Sequence, residues 1–168
     1  MSEHYLKKYL QDHFAGSQAG LSRFRQAARR NRGTALGAFL LQTTEEVRED
    51  RAALLKVLRA LGGKPALTKT AFASAGERAS RLKLDLKYDP LSRMEDLEGL
   101  FVAVTAKLEE WRVLKMLART DSELQILDYD ALIERAQKQR RGLERFRKAA
   151  AREAFSRTRP AEQMADPR

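Results

Sequence analysis

Apolar residues return every three or four positions along four long stretches of this chain. That spacing commits each stretch to the helical period and none to the strand period. The first runs from Glu3 to Arg30, with Ser2 as its expected N-cap. Its inward stripe is Leu6, Leu10, His13 or Phe14, Ser17, Leu21, Phe24 and Ala28. The second runs from Thr34 to Leu61 through Leu36, Phe39, Leu40, Thr43, Val47, Asp50, Leu54 and Val57. Gly62-Gly63 and then Pro65 end it, the usual punctuation after a helix. The third opens at Asp89-Pro90, an N-cap followed by proline at the first helical position. Its stripe is Leu91, Met94, Leu97 or Glu98, Phe101, Thr105, Leu108, Trp111 and Lys115. Ser122-x-x-Gln125 in the next linker reads as a capping box for a single turn. The fourth runs from about Asp128 to Phe155 through Leu132, Ile133, Ala136, Gln139 or Arg140, Leu143, Phe146 and Ala150.

These four helices predict an all-α four-helix bundle over residues 1–156, with 157–168 a flexible tail poor in apolar anchors. The first and third connections are short, so helices one and two, and three and four, should be antiparallel neighbours. The segment Gly63 to Lys87 is too long for a tight turn, and a short extra helix is expected near Thr70 to Leu84. Its length allows one end-to-end crossover between helices two and three.

At 168 residues the chain can bury a full core without staples. It is 43% hydrophobic and 33% charged, too apolar for a disordered protein. It has no cysteine, which removes disulfides, thiolate metal sites and thiol nucleophiles and fits a reducing cytoplasm. The start, MSEHYLKKYLQDHF, has no apolar stretch like a secretion signal. No run approaches the roughly 20 apolar residues of a membrane span. A soluble, cytoplasmic protein with no membrane contact is the expectation.

The net charge of +10 is unevenly spread. Arg23, Arg25, Arg29, Arg30 and Arg32 stand in a stretch without acids, and Arg141, Arg145 and Lys148 fall in a second basic region. Together they make a candidate basic face for nucleic acid or an acidic partner. A solvated helix face explains the same residues, and only Phe146 and Phe155 interleave aromatic rings with the later ones.

Tyr9-Leu10-Gln11-Asp12-His13-Phe14-Ala15-Gly16 resembles the first helix of ferritin-like stress proteins. Glu45-Glu46-Val47-Arg48-Glu49-Asp50-Arg51, ending in Leu61-Gly62-Gly63-Lys64-Pro65, resembles their second. Asp12-His13-x-Ala15-Gly16, Glu49-Asp50-Arg51 and Tyr88-x-Pro90-Leu91-Ser92-Arg93 are more similar still to a family of uncharacterised, mostly actinobacterial proteins of this length. The resemblance implies a ferritin-like bundle with one crossover and implies no particular activity.

The metal ligands of such bundles do not carry over. Paired carboxylates and Glu-x-x-His turns build their di-metal centres, and the chain has no Glu-x-x-His; its only histidines are His4 and His13. Ser17 stands where the first helix should offer a carboxylate. Thr43 replaces the partner of Glu46. Glu110 and Arg112, beside Glu109, occupy the places of His and Glu in the third helix. Gln137, Gln139, Arg140 and Arg141 fill the fourth. No metal and no cofactor is therefore expected, since a guanidinium opposes a cation electrostatically. An unorthodox metal site would draw on ligands such as Glu46, Glu49, Asp50, Glu98 and Glu109.

Helix rise places His13 opposite Arg51, Asp50 level with Lys107, and Lys107 near Gln139 and Arg140. The predicted buried polar layer is thus His13, Asp50, Lys107 and Arg140. It is either a ligand pocket with Lys107 and Arg140 as cations or an ion-pair layer that sets helix register. The same arithmetic pairs Arg25 with Glu98. Gly16 and Gly20 interrupt the first helix at about 1 kcal/mol each against alanine, which points to close helix approach there, with Trp111 packed into the space. Leu61-Gly-Gly-Lys64 lacks the spacing of a phosphate loop, and two histidines support no Ser/His/Asp set. The leading expectation is a non-enzymatic bundle acting through an unknown protein partner or self-association. The alternatives are a nucleic-acid-associated protein and a metal protein with atypical carboxylates.

Overall fold

The computed structural model describes residues 2–65 and 88–156. They form four long helices: α1 (Glu3–Arg30), α2 (Ala35–Ala60), α3 (Pro90–Leu117) and α4 (Tyr129–Phe155). A 3₁₀ turn at Ser122–Leu124 sits between α3 and α4, and the described residues contain no strand. The expected short helix near Thr70 to Leu84 and the expected tail at 157–168 lie outside the described residues. None of the described helices is long and apolar enough to cross a membrane.

The helix starts follow from side-chain acceptors for free amides. Thr34 accepts from Gly37 N at 3.0 Å, Asp89 from Ser92 N at 2.8 Å, and Asp128 from Ala131 N at 3.0 Å. Two expected caps differ. Ser2 precedes α1 but makes no side-chain cap bond. The 3₁₀ turn is capped by Asp121, which accepts from Glu123 N at 3.0 Å, while the Gln125 amide donates instead to Ala118 O at 2.8 Å.

Ion pairs fix the directions. Arg93–Glu153 at 2.9 Å, Glu98–Arg147 at 3.0 Å and Lys115–Asp130 step oppositely along α3 and α4, so those helices are antiparallel. Arg30–Asp96 at 3.1 Å and His13–Glu110 at 3.2 Å make α1 and α3 antiparallel too. Gln11 donates to Lys64 O at 3.0 Å, which puts the end of α2 beside the start of α1. α2 and α3, each antiparallel to α1, therefore run parallel, and Asp50 and Lys107 meet at one level. Residue 65 and residue 88 consequently stand at opposite ends of the bundle.

Packing is uneven. α1 rests chiefly on α2 and α3 chiefly on α4, with a lighter contact between α1 and α3. Two apolar clusters fill the interior. Leu10, Phe14, Leu54, Leu58, Leu108, Trp111 and Leu124 belong to one; Leu21, Phe24, Leu40, Val47, Leu100, Val104 and Leu143 to the other. The inward face of α3 departs from expectation: Leu97, Leu100, Val104, Leu108, Trp111 and Leu114 are buried, whereas Leu91 is 43% exposed and Phe101, Thr105 and Lys115 are half-buried. The run Leu-Phe-Val-Ala-Val-Thr-Ala-Lys-Leu is apolar on several sides, so only its neighbours select the face. In α1 the same adjustment buries Ala27 in place of Ala28.

The α1–α2 turn is tight. Gly33 takes a φ of 81°, a region glycine enters freely. Buried Asn31 donates from Nδ2 to Ala27 O at 2.8 Å and to the Tyr88 hydroxyl at 3.1 Å. A Cβ on Gly37 would lie 2.0 Å from Asn31 O. Gly37→Ala is expected to lower stability in urea unfolding by about 1–3 kcal/mol, the cost of overpacking against backbone; an unchanged midpoint would contradict this close approach.

Candidate functional site

Between the two apolar clusters lies a layer of polar side chains. Asp50 falls between Val47 and Leu54 on α2, Lys107 between Val104 and Leu108 on α3, and Gln139 between Ala136 and Leu143 on α4. Ser17 takes the matching place on α1, and its hydroxyl donates to Phe14 O at 2.6 Å, within its own helix. Asp50 is 2% exposed and Gln139 equally so. The Lys107 ammonium donates to Asp50 Oδ2 and, at 2.6 Å, to Gln139 Oε1. Gln139 in turn donates from Nε2 to Glu46 Oε2 at 2.8 Å. Arg135 donates to Asp50 Oδ1 and to Glu49 Oε2, the latter at 2.8 Å.

Both oxygens of the buried Asp50 carboxylate are thus met by cations, as burial of a charge requires. Burial pulls the Lys107 ammonium below its ordinary value, and the Asp50 carboxylate opposes that shift. Of the predicted layer, Asp50 and Lys107 come together and His13 and Arg140 do not join them. Among the described residues Arg140 makes no hydrogen bond or ion pair; Arg135, more than one turn earlier on α4, supplies the cation. The side chain that reaches inward one position before Arg140 is Gln139. Arg135 was detectable as the residue four before Gln139 on the same helix face.

His13 instead pairs with Glu110, Nδ1 lying 3.2 Å from Oε2. Glu110 is 2% exposed, and burial pushes its carboxyl up while the His13 hydrogen bond and charge pull it down, leaving it raised. It stands three residues beyond Lys107, one turn along α3. Arg51, placed by arithmetic opposite His13, lies over the Phe14 ring at 4.1 Å, and burial lowers its ordinary value. Such a contact joins a guanidinium to an aromatic face.

His13, Glu110, Trp111, Arg51, Asp50 and Lys107 all border one cleft of about 370 Å³ between α1, α2 and α3. Gly16 and Gly20 border it too. A Cβ on either would meet nothing within 4 Å, so the expected close helix approach at these glycines does not occur. They open space where α1 passes α3. Trp111 is 1% exposed and packs in the adjacent cluster.

Among the described residues the candidate carboxylates Glu46, Glu49, Asp50, Glu98 and Glu109 do not converge on one point. Glu46 accepts from Gln139 and Gln42, Glu49 from Arg135, Glu98 from Arg147 and Glu109 from Arg112. No group of three metal-ligating side chains converges among the described residues. An ammonium and a guanidinium bound to Asp50 are the wrong chemistry for neighbouring cations.

The basic residues divide. Arg30 pairs with Asp96 and Lys148 with Glu144, and Glu98 binds Arg147 rather than the expected Arg25. Arg25, Arg29 and Arg32 border a groove of about 730 Å³ between α1 and α2. Arg141 and Arg145 are exposed on α4, which shares no substantial contact with α1. The two basic stretches therefore occupy different corners and do not merge into one face. Arg23 packs beside Gly99, where a Cβ would meet its guanidinium at 2.4 Å.

Comparison of the chain with protein-family models, curated proteins and solved structures finds no match. Its chemistry has to be taken from its own residues.

Two outcomes follow from the layer. Lys107→Met should cost about 3 kcal/mol in urea unfolding, the low end for breaking a buried pair because Arg135 still meets Asp50. Adding Asp50→Leu should recover most of that loss. For Glu110 the folded carboxyl holds its proton to higher pH than the unfolded one. Between those two values the folded state binds the extra proton, so stability is fullest below the unfolded pKa and falls as pH rises through the folded one. Glu110→Gln should flatten that fall, seen as a smaller change in unfolding midpoint as pH rises upward from the ordinary carboxylate range.

Proposed function

We propose that this chain is a ferritin-like helical-bundle protein whose di-metal centre has been replaced by a carboxylate–cation layer, and that it acts by binding rather than by catalysis. One observation carries the reading: Lys107 Nζ occupies the interior between Asp50 and Gln139, 2.6 Å from the Gln139 oxygen. An ammonium in that position supplies the positive charge that metal ions supply elsewhere, without coordination chemistry. Parallel α2 and α3, with chain ends at opposite ends of the bundle, support the single-crossover topology. The non-catalytic part rests on the polar groups themselves. Asp50, Lys107, Arg135 and Gln139 are engaged with one another, which leaves none of them free to act as a base or nucleophile.

A nucleic-acid role is the weaker reading. It has the groove bordered by Arg25, Arg29 and Arg32 in its favour, but the remaining cations are divided between corners and Arg30 and Lys148 are neutralised by acids.

The test is elemental analysis of protein purified from iron- and manganese-supplemented cultures, with melting curves before and after chelation. The expected result is metal far below one ion per chain and a melting temperature indifferent to the chelator. Stoichiometric iron or manganese whose removal lowers the melting temperature would sink the proposal.

A further inference from the structure

The groove between α1 and α2, beside the turn that joins them, has one cationic wall. Arg25, Arg29 and Arg32 stand along α1 at four- and three-residue steps, which sets them on one helix face. All three are exposed, and among the described residues none of their side chains makes a hydrogen bond or an ion pair. Arg30, between them in the chain, faces another way and has an acid, Asp96. Like charges three or four residues apart on a helix repel one another. The row therefore costs the free chain stability, and the described fold makes no use of it.

The facing wall on α2 is of another kind. Ala38, Leu41 and Glu45 follow at three- and four-residue steps over the same length of helix. Leu41 is 62% exposed, and Glu45 is already held by Arg48 at 2.8 Å. Between the walls, Ala28 and the buried Gly37 carry almost no side chain, so a partner's side chains can seat low in the groove.

Two helical stripes of equal length, one cationic and one largely apolar, suit a third helix laid along them. They suit other occupants less well. A nucleic acid would have to lie against Leu41 and Glu45 as well as the arginines, and Arg141 and Arg145, at another corner, do not extend the cationic strip beneath it. A second copy docked by two-fold symmetry would bring its own arginine row to the same groove.

We propose that this groove docks an acidic amphipathic helix of a partner protein. Carboxylates three and four residues apart on one edge of that helix meet Arg25, Arg29 and Arg32, and its adjoining apolar edge covers Leu41 and Ala38. The groove deepens the reading of this chain as a binding protein. Metal found by elemental analysis, with the groove still binding as below, would sink that reading and leave the docking site standing.

The probe is a fluorescein-labelled peptide of three repeats of Glu-Leu-Ala-Ala-Glu-Leu-Gln, titrated with the full chain by fluorescence anisotropy. The repeat puts glutamates on one edge of a helix and leucines on the next. Saturable one-to-one binding that weakens as salt rises is the expected result. The same peptide with glutamine for every glutamate, and a scramble of equal composition, should each bind about tenfold or more weakly. Arg25→Glu with Arg29→Glu should weaken binding of the acidic peptide about tenfold or more, and Leu41→Asn should weaken it without a change in its salt dependence. Absence of saturable binding, equal affinity for the scramble or the glutamine peptide, or unchanged affinity in the double variant would each overturn the proposal. So would tighter binding of a DNA or RNA duplex than of the peptide, or a dimer of the full chain that Leu41→Asn dissociates.

Discussion

A lysine whose side chain is only 14% exposed ties the helices of this bundle to one another. Lys107 cannot enter the interior alone, because an unpaired ammonium out of water is prohibitively costly. It requires acceptors from other helices, and it finds Asp50 on α2 and Gln139 on α4. Each of those has further obligations, to Arg135 and to Glu46. Three helices are thereby tied at one level, and sliding any of them by a turn would break several charge-assisted bonds together. Apolar layers above and below contribute most of the burial, but leucine against leucine tolerates shifts that this layer does not.

The fourth helix of the bundle escapes that tie. α1 offers Ser17 to the layer, and the Ser17 hydroxyl turns back on its own backbone. Its link to α3 is made elsewhere, by Arg30 with Asp96 at one end and His13 with Glu110 near the middle. Between those links stand Gly16 and Gly20, and there the two helices part. The cleft is thus a consequence of which helix lacks a place in the ion-pair layer.

The carboxylate–cation layer and the cleft beside it are compatible on physical grounds. A di-metal centre draws carboxylates from all sides toward the axis. Here the acids Glu46, Glu49, Glu98 and Glu109 are held by amides and guanidiniums. Among the described residues, Asp50 and Glu110 are the acids that remain deep, each with a basic partner. The basic excess is likewise distributed by position: some arginines are consumed by inter-helix pairs and others border a separate groove.

Four helices, their approximate ends and most of the core stripe of α2 and α4 were legible in the sequence, since period and capping residues are local properties. The meeting of Asp50 with Lys107 was legible too, because helix rise converts residue number into height. What height cannot supply is rotation. Whether Gln139 or Arg140 turns inward, whether Arg135 reaches Asp50, and which side of the broadly apolar α3 faces the core depend on how the helices are rolled against one another. The same holds for Gly16 and Gly20: their spacing was plain, but only the packed arrangement separated an open cleft from a close contact. Local chemistry determined the elements; the mutual roll and separation of the helices decided the site.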